Sequence, residues 1–261
     1  MTGPGGLEEM RRPSRLLRNL EIARSTWEFG AYTLARPLGR FVPRGDGHGV
    51  LVLPGFMAAD LSTRTLRAFL RRRGYDAQPW RLGRNLGPTE STMDGLPRRL
   101  HELYARTGRP VSLIGQSLGG VFARDMARLY PEKVRLVITL ASPFRLPVRY
   151  TGPDLTNASG LYRILRPRHT AQSVQRPEEE DLPPLTVPRT AIYTRTDGVV
   201  PWRSCLEQES PTSENVEIWG SHIGLGHNPL ALIVIADRLA QPEGEWEPFR
   251  HQPNEEVQWS G

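Results

Sequence analysis

From about position 50 onward, short apolar runs alternate with longer stretches in which apolar residues recur every three or four positions. Short apolar runs closed by Gly, Pro or Asp mark strands buried on both faces, and the three- and four-residue steps mark amphipathic helices. Strands are predicted at 50–53, 75–80, 111–114, 134–140, 190–193 and 216–219. Between them, Ser62 caps a helix carrying Leu66, Phe69 and Leu70 that stops at Gly74. Thr89 starts another with Met93, Leu96, Leu100 and Leu103, and further helices are predicted at 121–129 and 229–239. This alternation predicts an α/β fold, a mostly parallel central sheet of about six strands with helices on both faces.

Two regions break the rhythm. Ahead of the first strand, Ser14 caps a helix whose apolar stripe is Leu16, Leu20, Ala23, Trp27, Ala31, Leu34 and Leu38. Arg15, Arg18, Glu21, Arg24 and Glu28 occupy its other faces, and that mixed charge favours a stripe packed on the protein over weak membrane-surface association. After the fourth strand, residues 143–188 are rich in Pro, Arg and polar side chains, with an apolar patch at Leu161-Tyr162 and Ile164-Leu165. A segment this long without regular structure inside one domain reads as functional. Its position predicts a cap over the carboxyl ends of the strands, with Leu155, Leu161, Tyr162, Ile164 and Leu165 facing a pocket there and the N-terminal stripe. The expected organisation is an N-terminal helix and linker (1–48), an α/β domain with its cap (49–240) and a polar tail (241–261).

The chemistry centres on Gly115-Gln116-Ser117-Leu118-Gly119-Gly120, which separates a predicted strand from a predicted helix. A serine with glycine two residues to either side, in a strand–turn–helix setting, is the G-x-S-x-G nucleophile elbow. The turn is tight enough that side chains at the flanking glycines would strike backbone, and it lifts the hydroxyl toward a helix N-terminus. A serine hydroxyl needs a base, and the base needs an orienting acid. His101 lies within a helix, His48 enters the first strand, His169 belongs to the cap and His251 to the tail. His222 and His227 remain, and His222, on the loop leaving the last strand, is the preferred base. His227 stands just before Asn228-Pro229, the cap and first position of the last helix. Asp197 follows the fifth strand in an Asp-Gly turn and is the predicted acid. The order Ser117, Asp197, His222 is that of the hydrolases built on this kind of sheet. The backbone N–H groups of Leu118 and Phe56 are the candidate oxyanion donors. Met57, Leu161 and Ile164 are the candidate pocket residues.

Composition narrows the field. The 261 residues suffice for one large core. The formal charge of +6 comes almost wholly from arginine, scattered and without a zinc finger, basic zipper or RNA-binding signature, so nucleic acid is not an expected partner. No apolar run approaches the ~20 residues of a bilayer span, and the polar, glycine-rich start lacks the apolar core of a secretory signal, so a cytoplasmic location is expected. The lone Cys205 forbids an internal disulfide; it reads as part of a surface helix without metal-ligand spacing, and no metal is expected.

Taken together, the elbow, Asp197 and Ser221-His222-Ile223-Gly224-Leu225 resemble the α/β-hydrolase superfamily, in its bacterial lipase and esterase branch, over roughly residues 50–239. The resemblance implies ester hydrolysis through an acyl-enzyme without cofactor or metal, on a small-molecule or lipid ester. Acyl transfer or thioester cleavage on the same fold, and a non-catalytic binding module, are the alternatives. Two departures stand out. Pro54-Gly55 replaces the usual His-Gly after the first strand, and the N-terminal helix and long insertion are foreign to the smallest lipases.

Overall fold

The computed structural model describes residues 12–146 and 179–249. Its six strands are β1 (Gly49–Leu53), β2 (Asp76–Pro79), β3 (Val111–Gln116), β4 (Val134–Leu140), β5 (Arg189–Tyr193) and β6 (Ser213–Glu217). They form one sheet in the order β2-β1-β3-β4-β5-β6, with every neighbouring pair parallel. Among the described residues, the α-helices are α1 (Arg15–Ala35), α2 (Arg64–Arg72), α3 (Glu90–Thr107), α4 (Leu118–Leu129) and α5 (Pro229–Ala240).

Strand alternation divides the interior into two cores. Val50, Val52, Ile114, Ile138 and Leu140 face one side, where they meet Leu66 and Leu70 of α2 and Leu232 and Ile235 of α5. Leu51, Leu53, Leu113 and Val137 face the other, against Leu96 and Leu100 of α3 and Phe122 and Met126 of α4. Both faces of the central strands are therefore dry, which explains why they read as continuous apolar runs. All six strands run the same way, so the loops at their carboxyl ends gather along one edge, where open α/β sheets form their sites.

Local boundaries shift from the sequence expectation. Thr63 rather than Ser62 precedes α2, and the last strand is Ser213–Glu217, earlier than expected. Cys205 lies in a short 3₁₀ turn (Trp202–Cys205) and is buried, not on a surface helix, and burial pushes its thiol well up from the usual range. In the tail, Trp246 and Phe249 pack against the first core.

The largest departure concerns α1. The helix forms where predicted, with the Ser14 hydroxyl accepting the Leu16 N–H, but it packs by the opposite face. Leu16, Trp27 and Leu34 are 67%, 72% and 83% exposed, whereas Glu21 and Glu28 are 2% and 4% exposed and Ser25 is also buried. The polar series Glu21, Ser25, Glu28 has the same i, i+4, i+7 spacing as an apolar face. Its partners are polar loops, so here the polar series is the one buried. The pairing expected between the cap and the stripe falls outside the described residues, as do Leu155, Leu161, Tyr162, Ile164 and Leu165.

Candidate active site

Ser117 sits between β3 and α4 at φ 50° and ψ −123°, a backbone that side-chain-bearing residues rarely adopt. The strain is held by close packing. A Cβ on Gly115 would strike the Gly119–Gly120 peptide, and one on Gly119 would lie 2.5 Å from the Leu53 carbonyl oxygen. The glycine at 120 makes room for Ser142, whose buried hydroxyl donates to the Gly115 carbonyl at 3.3 Å. The elbow is thus packed against β1 and the end of β4, and the Ser117 N–H donates to the Leu140 carbonyl at 2.8 Å.

The loop after β1 comes directly against the serine. A Cβ on Gly55 would lie 3.3 Å from Ser117 Cβ and 3.4 Å from the Gln116 carbonyl oxygen. Phe56 follows that contact in sequence and Leu118 follows the serine, so both candidate oxyanion donors belong to residues next to Ser117 or its close neighbour. Asn85, fully buried and passed over in the sequence reading, braces this loop. Its amide donates to the Pro54 carbonyl at 2.8 Å, its carbonyl accepts the Met57 N–H at 2.7 Å, and its own N–H donates to Ala58 at 2.8 Å. Met57 itself sits at φ 62°.

Asp197 and His222, from the loops after β5 and β6, are brought together. Asp197 Oδ2 lies 2.7 Å from His222 Nδ1, and both side chains are buried. The other Asp197 oxygen accepts the N–H groups of Val199 and Val200 at 2.7 and 2.8 Å, which fixes the carboxylate in its turn. Burial by itself would push the imidazole pKa down. The charge of Asp197, its hydrogen bond and the charge of Glu21 outweigh this and raise it above the ordinary histidine value.

Gln116 links this pair to the elbow. Its side-chain amide donates to the carbonyls of His222 and Ile223 at 3.0 and 3.1 Å, so the histidine loop is tied to the residue preceding Ser117. His227 goes elsewhere: its Nε2 lies 2.9 Å from the Ser25 carbonyl and 3.2 Å from the Ser25 hydroxyl, on α1. Asn228 caps α5, its side chain accepting the Leu230 N–H at 3.0 Å. Helix α1 also reaches both loops through Arg24. Its guanidinium donates to the Thr196 carbonyl and hydroxyl, each at 2.8 Å, and to the Gly220 carbonyl. The candidate pocket residues Leu161 and Ile164 lie outside the described residues. No group of three or more His, Cys, Asp or Glu side chains suited to a metal occurs among the described residues. No helix of these residues is long and apolar enough to cross a membrane.

No protein-family model matches the sequence, and no curated protein matches it. Solved structures do match. Aspergillus fumigatus lipase B superposes with a TM-score of 0.56 at 17% identity, over 76% of this chain and 53% of that one. The fold is that of the α/β-hydrolases. A pyrethroid hydrolase from Sphingobium faniae JZ-2 gives 0.55 at 18% identity, over 75% and 98% of the two chains. Bacillus licheniformis lipase BlEst2 gives 0.53 at 16% identity, over 76% and 94%. The chain therefore spans about half the length of the fungal lipase and nearly all of the other two. Ser117, Asp197 and His222 stand on the loops that follow the carboxyl ends of β3, β5 and β6.

Proposed function

We propose that the protein is a serine ester hydrolase, an esterase or lipase, that works through an acyl-enzyme on a small-molecule or lipid ester. The observation that carries this reading is a serine at positive φ on a strand–helix turn, with Gln116 beside it bonded to the loop of a histidine that is itself bonded to a buried aspartate. In the first half-reaction Ser117 Oγ attacks the ester carbonyl while His222 Nε2 takes its proton. The alcohol then leaves carrying that proton. In the second, water attacks the acyl-enzyme, His222 again takes the proton and returns it to Ser117, and the acid leaves. Asp197 keeps the imidazole in the tautomer with Nδ1–H and balances the imidazolium. The N–H groups of Phe56 and Leu118 are the proposed oxyanion donors, and no metal or cofactor enters any step.

The test is a chain-length series of p-nitrophenyl esters, with fluorophosphonate labelling read by mass spectrometry. Hydrolysis and a single label on Ser117 are expected. A folded protein that neither hydrolyses any ester nor takes the label would overturn the reading. Acyl transfer or thioester cleavage would use the same residues, and an added alcohol or amine that captures the acyl group would favour transfer. The exposed stripe on α1 supports one proposal about partners, weak association with a membrane surface. With Glu21 and Glu28 turned inward, the exposed charges of this helix are arginines such as Arg15 and Arg18.

A further inference from the structure

Helix α1 lies outside the βα repeat, yet it inserts two buried carboxylates into the loops that carry the acid and the base. Glu21 Oε1 accepts the N–H of Gly198, next to Asp197, at 2.8 Å and the N–H of His222 at 3.3 Å. Glu21 Oε2 accepts the N–H of Ile223 at 3.2 Å. Two turns further on, Glu28 accepts the Ser221 N–H at 2.7 Å and the Asn228 side-chain amide at 3.0 Å. The loops are shaped to receive the helix. A Cβ on Gly198 would lie 2.6 Å from the α1 backbone at Leu17 and Arg18, and one on Gly224 would strike the Glu28 carboxylate. Two leucines would anchor a helix without desolvating carboxylates. What carboxylates add is a fixed direction for the N–H groups beside the acid and the base, and negative charge close to the imidazole.

We propose that Glu21 is a positioning residue for the Asp197–His222 pair, locking the two loops that carry them through the N–H groups of Gly198, His222 and Ile223. The proposal rests on the reading of Ser117, His222 and Asp197 as a catalytic triad. The groups around the imidazole are Asp197 from the loop after β5 and Glu21 from α1. Arg24 and Glu28 sit on the neighbouring backbone at Gly220 and Ser221, His227 lies along the same loop, and the Cys205 thiol lies near Asp197. Burial pushes His222 down, and the charges of Asp197 and Glu21 push it up. A neutral side chain at position 21 therefore lowers the pKa of the base, and the base stays competent to lower pH.

The experiment measures the rate of Ser117 labelling by a fluorophosphonate probe, and of p-nitrophenyl butyrate hydrolysis, against pH for wild type, Glu21→Gln and Glu21→Asp. For Glu21→Gln we expect the plateau rate to fall about tenfold and the acid-side midpoint to move to lower pH. Glu21→Asp keeps the charge but shortens the reach, so its plateau falls while its midpoint stays. A folded Glu21→Gln protein with the wild-type midpoint would mean a merely structural role and would overturn the proposal. Should Glu21→Gln fail to fold, Glu21→Asp decides: a wild-type plateau overturns the proposal, a lowered one supports it. A wild-type protein that is folded yet neither labels nor hydrolyses would overturn the triad reading instead, which keeps the two failures apart.

Discussion

Two aspartate–histidine pairs stand in the molecule, Asp46–His48 and Asp197–His222, and their surroundings differ sharply. At the amino-terminal edge of the sheet, Asp46 Oδ1 lies 2.5 Å from His48 Nδ1, and His48 Nε2 lies 2.8 Å from the Ser112 hydroxyl. By distance this is a complete relay. However, His48 and Ser112 are wholly buried, and Ser112 stands inside β3 with a strand paired on either side. Its backbone is ordinary strand, whereas Ser117 is held at φ 50° on a turn that leaves it partly exposed. The electrostatics differ as well. Arg109 and Arg135 both bond to Asp46, so its charge is shared with two guanidinium groups; burial and those arginines hold His48 below its ordinary pKa. Asp197 meets backbone N–H groups and His222, and no arginine or lysine bonds to it among the described residues. Its charge, with that of Glu21, holds His222 above its ordinary value. A hydrogen-bonded Ser–His–Asp trio therefore says little until access, backbone strain and the acid's other partners are known.

The sharpest way to break this comparison is to exchange the serines. Ser117→Ala should lower p-nitrophenyl butyrate hydrolysis by at least about 10³-fold with the fold intact. Ser112→Ala should leave kcat/KM within about twofold and cost about 1 kcal/mol of stability in urea unfolding. Equal losses in both variants would mean that the buried trio acts on the reaction.

Exchanging the histidines comes next. His222→Ala should cost at least about 10²-fold in kcat/KM, and His227→Ala, which loses only the contact with Ser25, less than about tenfold. The reverse ranking would reassign the base.

The pH profile separates the two histidines without touching the nucleophile. The base must be neutral to take a proton, and His222 is raised, so kcat/KM should fall on the acid side with a midpoint above the ordinary histidine value. In His48→Asn that midpoint should stay in place while Tm drops. A midpoint that follows the substitution at position 48 would contradict the assignment.

The smallest effect is expected on the far face of α1. Replacing Trp27 and Leu20 together by Ser should change stability by less than about 0.5 kcal/mol, because both are exposed. The same change should weaken co-sedimentation with anionic vesicles. Unchanged co-sedimentation would remove the membrane-surface proposal.

The sequence by itself determined whatever depends on near neighbours. Continuous apolar runs marked the strands and period-3.6 patterning the helices, because burial on both faces leaves a strand apolar throughout. Gly115, Gly119 and Gly120 marked the elbow, because the clashes they avoid lie within a few residues or on the adjoining strands. The positions of Asp197 and His222 just past strand ends were legible for the same reason. The tertiary structure decided the rest. Helix α1 offered two faces of equal periodicity, and no local rule chooses between them. The polar face goes inward because the loops at 196–198 and 220–228 offer backbone N–H groups and carbonyls, and Glu21, Arg24 and Glu28 bond to them from nearly 200 residues away in sequence. The bracing roles of Asn85 and Gln116 belong to the fold likewise, since a single amide becomes a brace only where folding brings distant backbone within about 3 Å of it. The same holds for the Asp46–His48–Ser112 trio, which is assembled by strand pairing with His48 and Ser112 closed off from solvent, and neither fact is written in the order of its residues.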